Sequence, residues 1–315
     1  MTVVPPAAGE PRRPEGPRDP GDAWVVADTG ERYWGRFGAA GLLAVDPERG
    51  ILLQHRVAWS HFGGTWGLPG GALHEGEAAI VGAVREAQEE AGVPDGAVRP
   101  RFTSVLDLGI WSYTTVVADV RTPFDPVISD PESVALSWVP VEDVDGLPLH
   151  PGFGAAWPML RAQLSAHPVV VVDAANVVGS VPDGWWKDRA GAAARLRDRL
   201  TGLAVPADDL GLAGDAWFPE VSLVVEGRAL DIAEAAAEAS PADAAAAEAG
   251  VASSALDVVR AEGAGDDAIV AEVERRVASA SPVLAVTSDR ELQSRVEAAG
   301  AQVRSSGWLL RLLDA

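Results

Sequence analysis

The chain has 315 residues, a formal net charge of −21 and no cysteine, a length that suits two hydrophobic cores better than one. The absence of cysteine excludes disulfides, thiolate metal sites and a cysteine nucleophile, and it is typical of proteins in a reducing cytosol. The sequence has neither an apolar run long enough for a membrane span nor a start that resembles a secretory signal. We therefore expect a cytoplasmic protein. The negative charge opposes nucleic-acid binding by bulk attraction, so a polyanion needs metal ions or a local basic patch.

The first half of the chain begins with a proline-rich stretch. Residues 1–23 carry six prolines and no periodic pattern, which predicts a disordered arm. Alternating and periodic apolar residues then predict a first domain over 24–165. Its predicted strands are 39–46, 50–56, 101–109, 111–120 and 135–141, its glycine-rich loop is 65–71, and its helices are 77–91, which Gly92 ends, and 150–166.

The second half, 166–315, alternates short apolar runs with helical patterns, which indicates a parallel α/β sheet. Its predicted strands are 168–180, 221–227, 255–263 and 282–290, and its predicted helices are 189–203, 266–279 and 290–300. The alanine-rich, acidic tract at 231–250 is either a solvated helix or a mobile insertion. We therefore expect an α/β protein with two separate sheets.

Three glutamates of the helix predicted at 77–91 share one face. Glu86, Glu89 and Glu90 stand at i, i+3 and i+4, where each like-charge pair is destabilising by about a few tenths of a kcal/mol. A hard divalent cation, Mg²⁺ or Mn²⁺, takes oxygen ligands and would reverse that sign. Arg85 lies four residues before Glu89 and is placed to orient its carboxylate. A solvated helix face is the alternative interpretation.

The residues around these glutamates form a longer pattern. Residues 71–93 read GALHEGEAAIVGAVREAQEEAGV, and they resemble the Nudix box, G-x5-E-x7-R-E-U-x-E-E-x-G-U, at every fixed position. The one departure is Ala87, which is smaller than the usual aliphatic residue and affects packing rather than metal ligation. Gly70 and Gly71, before the helix, would let the backbone approach a bound phosphate closely.

The resemblance covers roughly residues 33–163 and implies an α/β/α sandwich with a mixed sheet, in which the box forms a loop, a helix and a loop. It implies Mg²⁺- or Mn²⁺-dependent hydrolysis of a nucleoside diphosphate linked to another moiety, with a carboxylate as general base. By position, Glu86, Glu89 and Glu90 resemble the metal ligands. Glu77 resembles the structural or accessory carboxylate, and Arg85 its ion-pairing partner.

Other candidates in this domain are weaker. Glu132 stands six residues before Trp138 and resembles a later loop glutamate that binds metal or acts as base in some Nudix enzymes; a plain surface glutamate is the alternative. His74 is a candidate for substrate contact. Four aromatic residues either stack on a base or belong to the core: Trp59, Phe62, Trp66 and Trp111. Nudix proteins often dimerise, so a homodimer is a further expectation.

The second half places acidic residues at predicted strand ends. Asp173, Glu226 and Asp289 close three of these strands, and Asp266 and Asp267 open a helix. The carboxyl ends of parallel strands meet at one edge, where ligands bind. Carboxylates that converge there repel unless cations intervene. Helix capping is the alternative for the aspartates, but it explains Glu226 poorly.

Four short motifs in this half, VVDAANV, VVEG, GAGDDAIV and VTSDREL, resemble the NYN branch of PIN-like nucleases. That resemblance implies a Rossmann-like domain with an acidic Mg²⁺ site that cuts RNA. The corresponding residues are Asp173, Asn176, Glu226, Asp266 or Asp267, and Asp289. Residues 185–200 hold five basic residues and two aspartates, which is either a grip for a phosphate backbone or an ordinary exposed helix face.

Three functions are consistent with the sequence. The first is a bifunctional hydrolase, in which the Nudix half cleaves a nucleotide diphosphate and the PIN-like half cuts RNA. The second is a nucleotide-sensing module that binds without turnover and regulates the second domain. The third keeps the first activity and makes the second half a scaffold. The nucleotide itself is not fixed by the box, because loops elsewhere select it.

Overall fold

The computed structural model describes residues 1–6, 21–129, 131–182, 184–232 and 255–314. The described residues form two compact units. The first is built on Met1–Leu164 with Ala213–Asp215, and the second on Ser165–Leu212 and the described residues that follow 215. Nearly all of the alanine-rich tract at 231–250 lies outside the described residues. Within the described parts of the chain, no helix has both the length and the apolar character needed to cross a membrane.

A small antiparallel sheet opens the first unit. Its strands are β1 (Thr2–Val4), β2 (Trp24–Val26) and β3 (Arg32–Trp34), in the order β1-β2-β3. β1 lies within the predicted disordered arm, and the structure differs there because its β-branched side chains suit an extended strand that pairs with β2. Residues 7–20 of that arm lie outside the described residues.

The main sheet of the first unit is mixed, as the predicted fold class requires. Its strands are β4 (Ala39–Asp46), β5 (Gly50–Arg56), β6 (Trp66–Gly67), β7 (Gly70–Ala72), β8 (Val98–Asp107), β9 (Ser112–Val120) and β10 (Ser133–Val139). The order is β10-β5-β4-β9-β8, with β6 beside β5 and β7 beside β4. β4 runs parallel to β9 and antiparallel to β5. The glycine-rich loop predicted at 65–71 therefore also supplies two short strands.

The described residues of this unit include two α-helices, α1 (Ala79–Ala91) and α2 (Pro151–Gln163), and a short 3-10 helix at Val144–Gly146. Val84 and Ala87 of α1 pack with Leu42 and Leu52 of the sheet, and all four side chains are buried. Leu43 alternates with Leu42 on β4 and is equally buried, so both faces of the sheet are covered. The apolar stripe of α1 thus holds the helix on the sheet.

The second unit alternates strands and helices. Its elements are β11 (Val169–Asp173), α3 (Ala174–Gly179), α4 (Arg189–Leu200), β12 (Val205–Pro206), α5 (Ala207–Leu210), β13 (Ala216–Trp217), β14 (Glu220–Val225), β15 (Leu256–Arg260), α6 (Gly265–Val277), β16 (Val283–Val286), α7 (Arg290–Ala298), β17 (Gln302–Arg304) and α8 (Ser306–Leu313). Five strands form an all-parallel sheet in the order β15-β14-β11-β16-β17. This sheet confirms the predicted parallel α/β architecture.

The second unit departs from the sequence-based prediction at three places, and one of them is the unpredicted run of β12, α5 and β13. The run 168–180 splits into β11 and α3, because the Asp173 side chain accepts a hydrogen bond from the Asn176 N–H and starts a helix. β17 and α8 were not predicted. β17 has only three residues, and α8 starts where Ser305 accepts a hydrogen bond from the Trp308 N–H.

A buried ion network fixes α6 to the sheet of the second unit. Arg276 is 6% exposed, pairs with Glu272 at 2.9 Å and Glu220 at 2.7 Å, and donates to Ser222 Oγ at 3.1 Å. Burial opposes the ionisation of Glu272, but hydrogen bonds from Arg275, Ser222 and Arg276 outweigh it and lower its pKa to about 2. The network therefore holds a permanent carboxylate inside the unit.

Candidate active site

The candidate site of the first unit begins where β7 leads through a loop into α1. α1 ends at Gly92, whose φ of 65° lies in the left-handed region and whose N–H is within hydrogen-bonding distance of the Ala87 and Gln88 carbonyls. Glycine suits this C-cap because a Cβ atom would strain it. Glycine therefore ends the acidic helix.

Arg85 organises the carboxylates on this helix. Its Nε and Nη2 atoms donate to both oxygens of Glu77, at 2.8 and 2.9 Å, and its Nη1 donates to Glu86 Oε1 at 2.7 Å. Glu89 is farther, at 3.7 Å, so Arg85 lies closer to Glu77 and Glu86 than to the glutamate it was expected to orient. Glu77 also accepts a hydrogen bond from the His74 N–H. Burial opposes the charge of Arg85, but Glu77 and Glu86 raise its pKa.

The three glutamates proposed as metal ligands differ in exposure. Glu86 and Glu90 are 4% and 5% exposed, whereas the Glu89 side chain is 42% exposed. A Cβ atom on Gly71 would lie 2.7 Å from the Glu86 carboxylate, so any larger residue there would displace that carboxylate. The Gly70 N–H donates to Glu90 Oε2 at 3.0 Å. The glycine pair thus lets the backbone close directly onto two buried carboxylates.

A cation stands near these carboxylates, at the end of β5. Arg56 lies 4.0 Å from Glu132 and donates to the His61 carbonyl at 3.3 Å. Desolvation raises the pKa of Tyr113. The charge of Arg56 opposes this shift and the charge of Glu90 adds to it, so both charged groups act on the same tyrosine. The site therefore combines acidic groups on α1 with a positive charge on the sheet.

Sequence reasoning missed two residues of this site, Gln54 and Arg56. Both belong to β5, which reads GILLQHR, and both lie on the face of β5 that carries Leu52. A signal was available, because a polar residue in an otherwise apolar buried strand needs a partner. The pattern does not show which partner, since that depends on elements distant in the chain.

The predicted aromatic candidates divide into two pairs. Trp66 stacks on His55 with ring centroids 4.8 Å apart, and Trp111 stacks on Tyr33 at 4.9 Å. Trp59 and Phe62 remain 51% and 45% exposed. The backbone of Phe62 also adopts a φ of 55°, in the left-handed region that residues other than glycine rarely occupy. The loop between β5 and β6 therefore presents two aromatic side chains to solvent.

The donor chemistry of the box fits a hard divalent cation. Among the residues that the structure describes, no group of three or more His, Asp or Glu side chains is arranged to hold a metal ion. Glu86, Glu89 and Glu90 nevertheless offer oxygen atoms only, which is what Mg²⁺ and Mn²⁺ prefer. Two of them are buried like charges, which a cation would stabilise, and the exposed third can change rotamer.

A second acidic group lies at the carboxyl edge of the parallel sheet. Asp173 is 7% exposed, accepts hydrogen bonds from the Asn176 N–H at 3.0 Å and the Thr287 hydroxyl at 2.9 Å, and ends β11. Burial raises its pKa against these two hydrogen bonds, and the charges of Asp266 and Glu226 raise it further. The structure therefore brings Asp173, Glu226 and Asp266 near one another.

Asp289 and Asp267, also predicted for this group, have structural partners, and so does Glu226 within the group. Asp289 caps α7 by accepting from two backbone N–H groups at 2.9 Å, which is the capping alternative for this residue. Asp267 pairs with Arg295 at 2.5 Å. Glu226 accepts a hydrogen bond from the Gly265 N–H at 2.9 Å, so it ties the end of β14 to the start of α6.

Hydroxyl groups complete this edge, and sequence reasoning missed them. The Asn176 Oδ1 atom accepts from the Ser288 N–H at 2.9 Å and from the Ser306 hydroxyl at 2.5 Å. Ser306 is 1% exposed and opens α8, which the sequence pattern did not predict. The edge is thus a polar network in which Asn176 has a structural role.

The fold and the box define a class of protein. A mixed sheet carries a loop and a helix that set buried carboxylates beside a glycine backbone, as in hydrolases that act on phosphoanhydrides with a divalent cation. The model of the NUDIX domain matches residues 35–163. The "Putative 8-oxo-dGTP diphosphatase 3" of Mycobacterium tuberculosis is 46% identical over 183 residues, which cover 55% of this chain and 82% of that protein. The chain belongs to the Nudix family of hydrolases.

Two other similar proteins carry the same domain. A nucleoside triphosphate pyrophosphatase/Nudix hydrolase fusion protein of Bifidobacterium longum is 40% identical over 158 residues, which cover 48% of this chain and 33% of that protein. The crystal structure of RenU, a Nudix hydrolase from M. smegmatis, is 48% identical, covers 45% of this chain and 94% of its own, and gives a TM-score of 0.41.

Proposed function

We propose that the first unit hydrolyses the diphosphate linkage of a nucleoside triphosphate or another nucleoside diphosphate derivative. The observation that carries this proposal is the set of Glu86, Glu89 and Glu90 on α1, with two of the three buried, beside the cationic Arg56. The relatives named for 8-oxo-dGTP and for nucleoside triphosphates support a triphosphate among the substrates.

In the proposed mechanism, Glu86, Glu89 and Glu90 would supply the oxygen atoms that hold Mg²⁺ or Mn²⁺. A divalent cation held there would supply neutralisation of the diphosphate charge and activation of the attacking water. Arg85 holds Glu86 in place through the 2.7 Å hydrogen bond. Glu132 is proposed as the general base that takes the proton of the attacking water.

Arg56 is proposed to bind the phosphate chain of the substrate. Its side chain is 18% exposed and carries a positive charge 4.0 Å from Glu132. Charge-assisted hydrogen bonds from a guanidinium to phosphate oxygens are stronger than neutral ones. The exposed aromatic rings of Trp59 and Phe62, which follow β5 directly, are proposed to contact the base.

The test is turnover of a substrate panel by the purified full chain with Mg²⁺. The panel holds dGTP, 8-oxo-dGTP, ADP-ribose and a dinucleoside polyphosphate, with products separated by chromatography and released phosphate or pyrophosphate measured. We expect at least one compound to be hydrolysed at its diphosphate linkage. Tight binding without product, in both Mg²⁺ and Mn²⁺, would support the nucleotide-sensing module instead.

We propose a second function, metal-dependent RNA cleavage, for the second unit. It is supported by one observation: Asp173, Glu226 and Asp266 lie near one another at the carboxyl edge of a parallel sheet, where their charges raise the pKa of Asp173. Carboxylates in such a position are ligands that Mg²⁺ prefers.

The variant that tests this second function is Asp173→Asn. Asparagine caps α3 as well as aspartate does, but it removes the negative charge. Single-stranded RNA and Mn²⁺ are added to the full chain in a Glu90→Gln background, which removes hydrolysis by the first unit. We expect cleavage that Asp173→Asn lowers by about 100-fold or more. Asp208→Asn, at an exposed aspartate of the same unit, should cleave normally. No cleavage, or equal cleavage by Asp173→Asn, would support the scaffold hypothesis.

A further inference from the structure

One face of β5 changes from apolar to polar along the strand. Leu52, Gln54 and Arg56 are two residues apart and lie on the same face. Leu52 belongs to the buried cluster that packs against α1. Gln54 is 0% exposed, although it carries an amide. It therefore lies between the hydrophobic core and the charged end of the site.

The amide of Gln54 joins α1 to the start of β10. Its Nε2 atom donates to Ser133 Oγ at 2.8 Å and, through a longer hydrogen bond of 3.4 Å, to Glu90 Oε2. The opposite amide orientation would set Oε1 against the Glu90 carboxylate, where two acceptors repel. Both amide hydrogens of Gln54 are thus directed to residues of the site.

A β-bulge places Ser133 where Gln54 can reach it. The register between β10 and β5 shifts between Ser133 and Ala135, and the intervening Val134 is 54% exposed. Bulges of this kind re-aim side chains beside active sites, and here Ser133 is 9% exposed. Ser133 follows Glu132 directly in the chain. The Ser133–Gln54 hydrogen bond therefore anchors the segment that carries the proposed general base.

The amide oxygen of Gln54 is a cost to stability. Its Oε1 atom is buried and accepts no hydrogen bond within the described residues. A buried acceptor without a donor lowers the stability of the fold. An apolar side chain would remove this acceptor, but it would also take a hydrogen-bond donor from Ser133 and Glu90. A residue that lowers stability beside a catalytic site is a sign of a functional role.

We propose that Gln54 is a positioning residue that fixes the Glu90 carboxylate, and with it the start of β10, for binding of the divalent cation. This inference rests on the proposed function of the first unit. It adds a residue of the sheet to a metal site otherwise assigned to α1. Gln54 acts through Glu90 and Ser133 rather than by contact with the substrate.

The test compares Gln54→Met with wild type in the full chain. Methionine has nearly the same shape but no donor, so both hydrogen bonds are lost while the site stays filled. Mn²⁺ binding is measured by electron paramagnetic resonance, and the site of interest is the Mn²⁺ population that Glu90→Gln removes. We expect Gln54→Met to weaken this binding by about 10- to 100-fold, with a midpoint of thermal unfolding within a few degrees of wild type, because the loss of the unsatisfied Oε1 atom offsets the loss of the two hydrogen bonds. Ser133→Ala should weaken it less, by about threefold to tenfold.

The control is Gln88→Met, the same change on α1 at a side chain that donates to Asp95, and it should bind Mn²⁺ as wild type does. Equal Mn²⁺ affinity for wild type and Gln54→Met would overturn the positioning role. A lower unfolding midpoint with unchanged affinity would assign Gln54 a structural role only. If wild type itself has no Mn²⁺ population that depends on Glu90, the proposed function fails rather than this inference alone.

Discussion

Glu90→Gln is expected to lower kcat for diphosphate hydrolysis by about 100- to 1000-fold, because it removes a negative charge from the proposed metal site. The variant should fold normally. Glutamine keeps the shape of glutamate, and its Oε1 atom can still accept the hydrogen bond that the Gly70 N–H donates at 3.0 Å. Steady-state kinetics over a Mg²⁺ series measure both kcat and the metal concentration at half-maximal rate.

Glu90→Gln should lower activity but raise the thermal stability of the metal-free chain. Glu86 and Glu90 are buried, so without metal the wild-type chain holds two carboxylates in a desolvated place. Neutralising Glu90 should raise the midpoint of thermal unfolding without metal and reduce the further rise that Mg²⁺ produces. This pair of changes separates loss of metal binding from simple misfolding.

Glu75→Gln is the matched control, since Glu75 is an exposed glutamate in the loop before α1 and the charge change is the same. It should leave kcat, metal dependence and the unfolding midpoint within about twofold or a few degrees of wild type. If Glu90→Gln turned over substrate as fast as wild type, Glu90 would have no part in the hydrolysis, and the proposed mechanism would be contradicted.

Arg276→Ala is expected to lower the free energy of unfolding of the second unit by about 3–5 kcal/mol. Arg276 bonds to Glu272, Glu220 and Asp257. Without its charge, these three carboxylates repel, and Glu272 stays 5% exposed with much of its compensation gone. Urea unfolding of the full chain measures the effect, while diphosphate hydrolysis in low urea reports whether the first unit is intact.

Arg275→Ala is the comparison that isolates burial. Arg275 also pairs with Glu272, at 2.6 Å, but its side chain is 58% exposed, so its loss should cost only about 0–1 kcal/mol. Equal effects for the two arginines would show that the buried network around Arg276 adds nothing beyond a surface ion pair. Hydrolysis by the first unit should be unchanged in both variants.

Much of the first unit could be predicted because its signals are local. The strands at 39–46 and 50–56 have the predicted limits, and the box helix ends at Gly92 as its sequence indicates. Gln54 and Arg56 show where local signals end. Their importance depends on Glu90 and Glu132, and those contacts cross the sheet.

In the second unit, too, local patterns were predictable and contacts between distant residues were not. Alternating apolar runs were enough to predict a parallel sheet. The helix α3 was missed because one capping aspartate, Asp173, ends a strand and starts a helix at once. The acidic residues at the strand ends were visible in the sequence, but Asp289 and Asp267 turned out to have a cap and an ion pair as partners. Spacing alone does not separate these roles from ligation.

The parallel pairing of β4 with β9 also determines when the site can form as the chain folds. Ala39 pairs with Tyr113, so the centre of the sheet cannot close until β9 has left the ribosome, after the whole box has been made. Contacts so distant in sequence slow folding. α1 can already pack on Leu42 and Leu52, which precede it in the chain, but β10, with Ser133 and Glu132, joins β5 only later. Folding intermediates of the first unit should therefore carry the box helix without a working site.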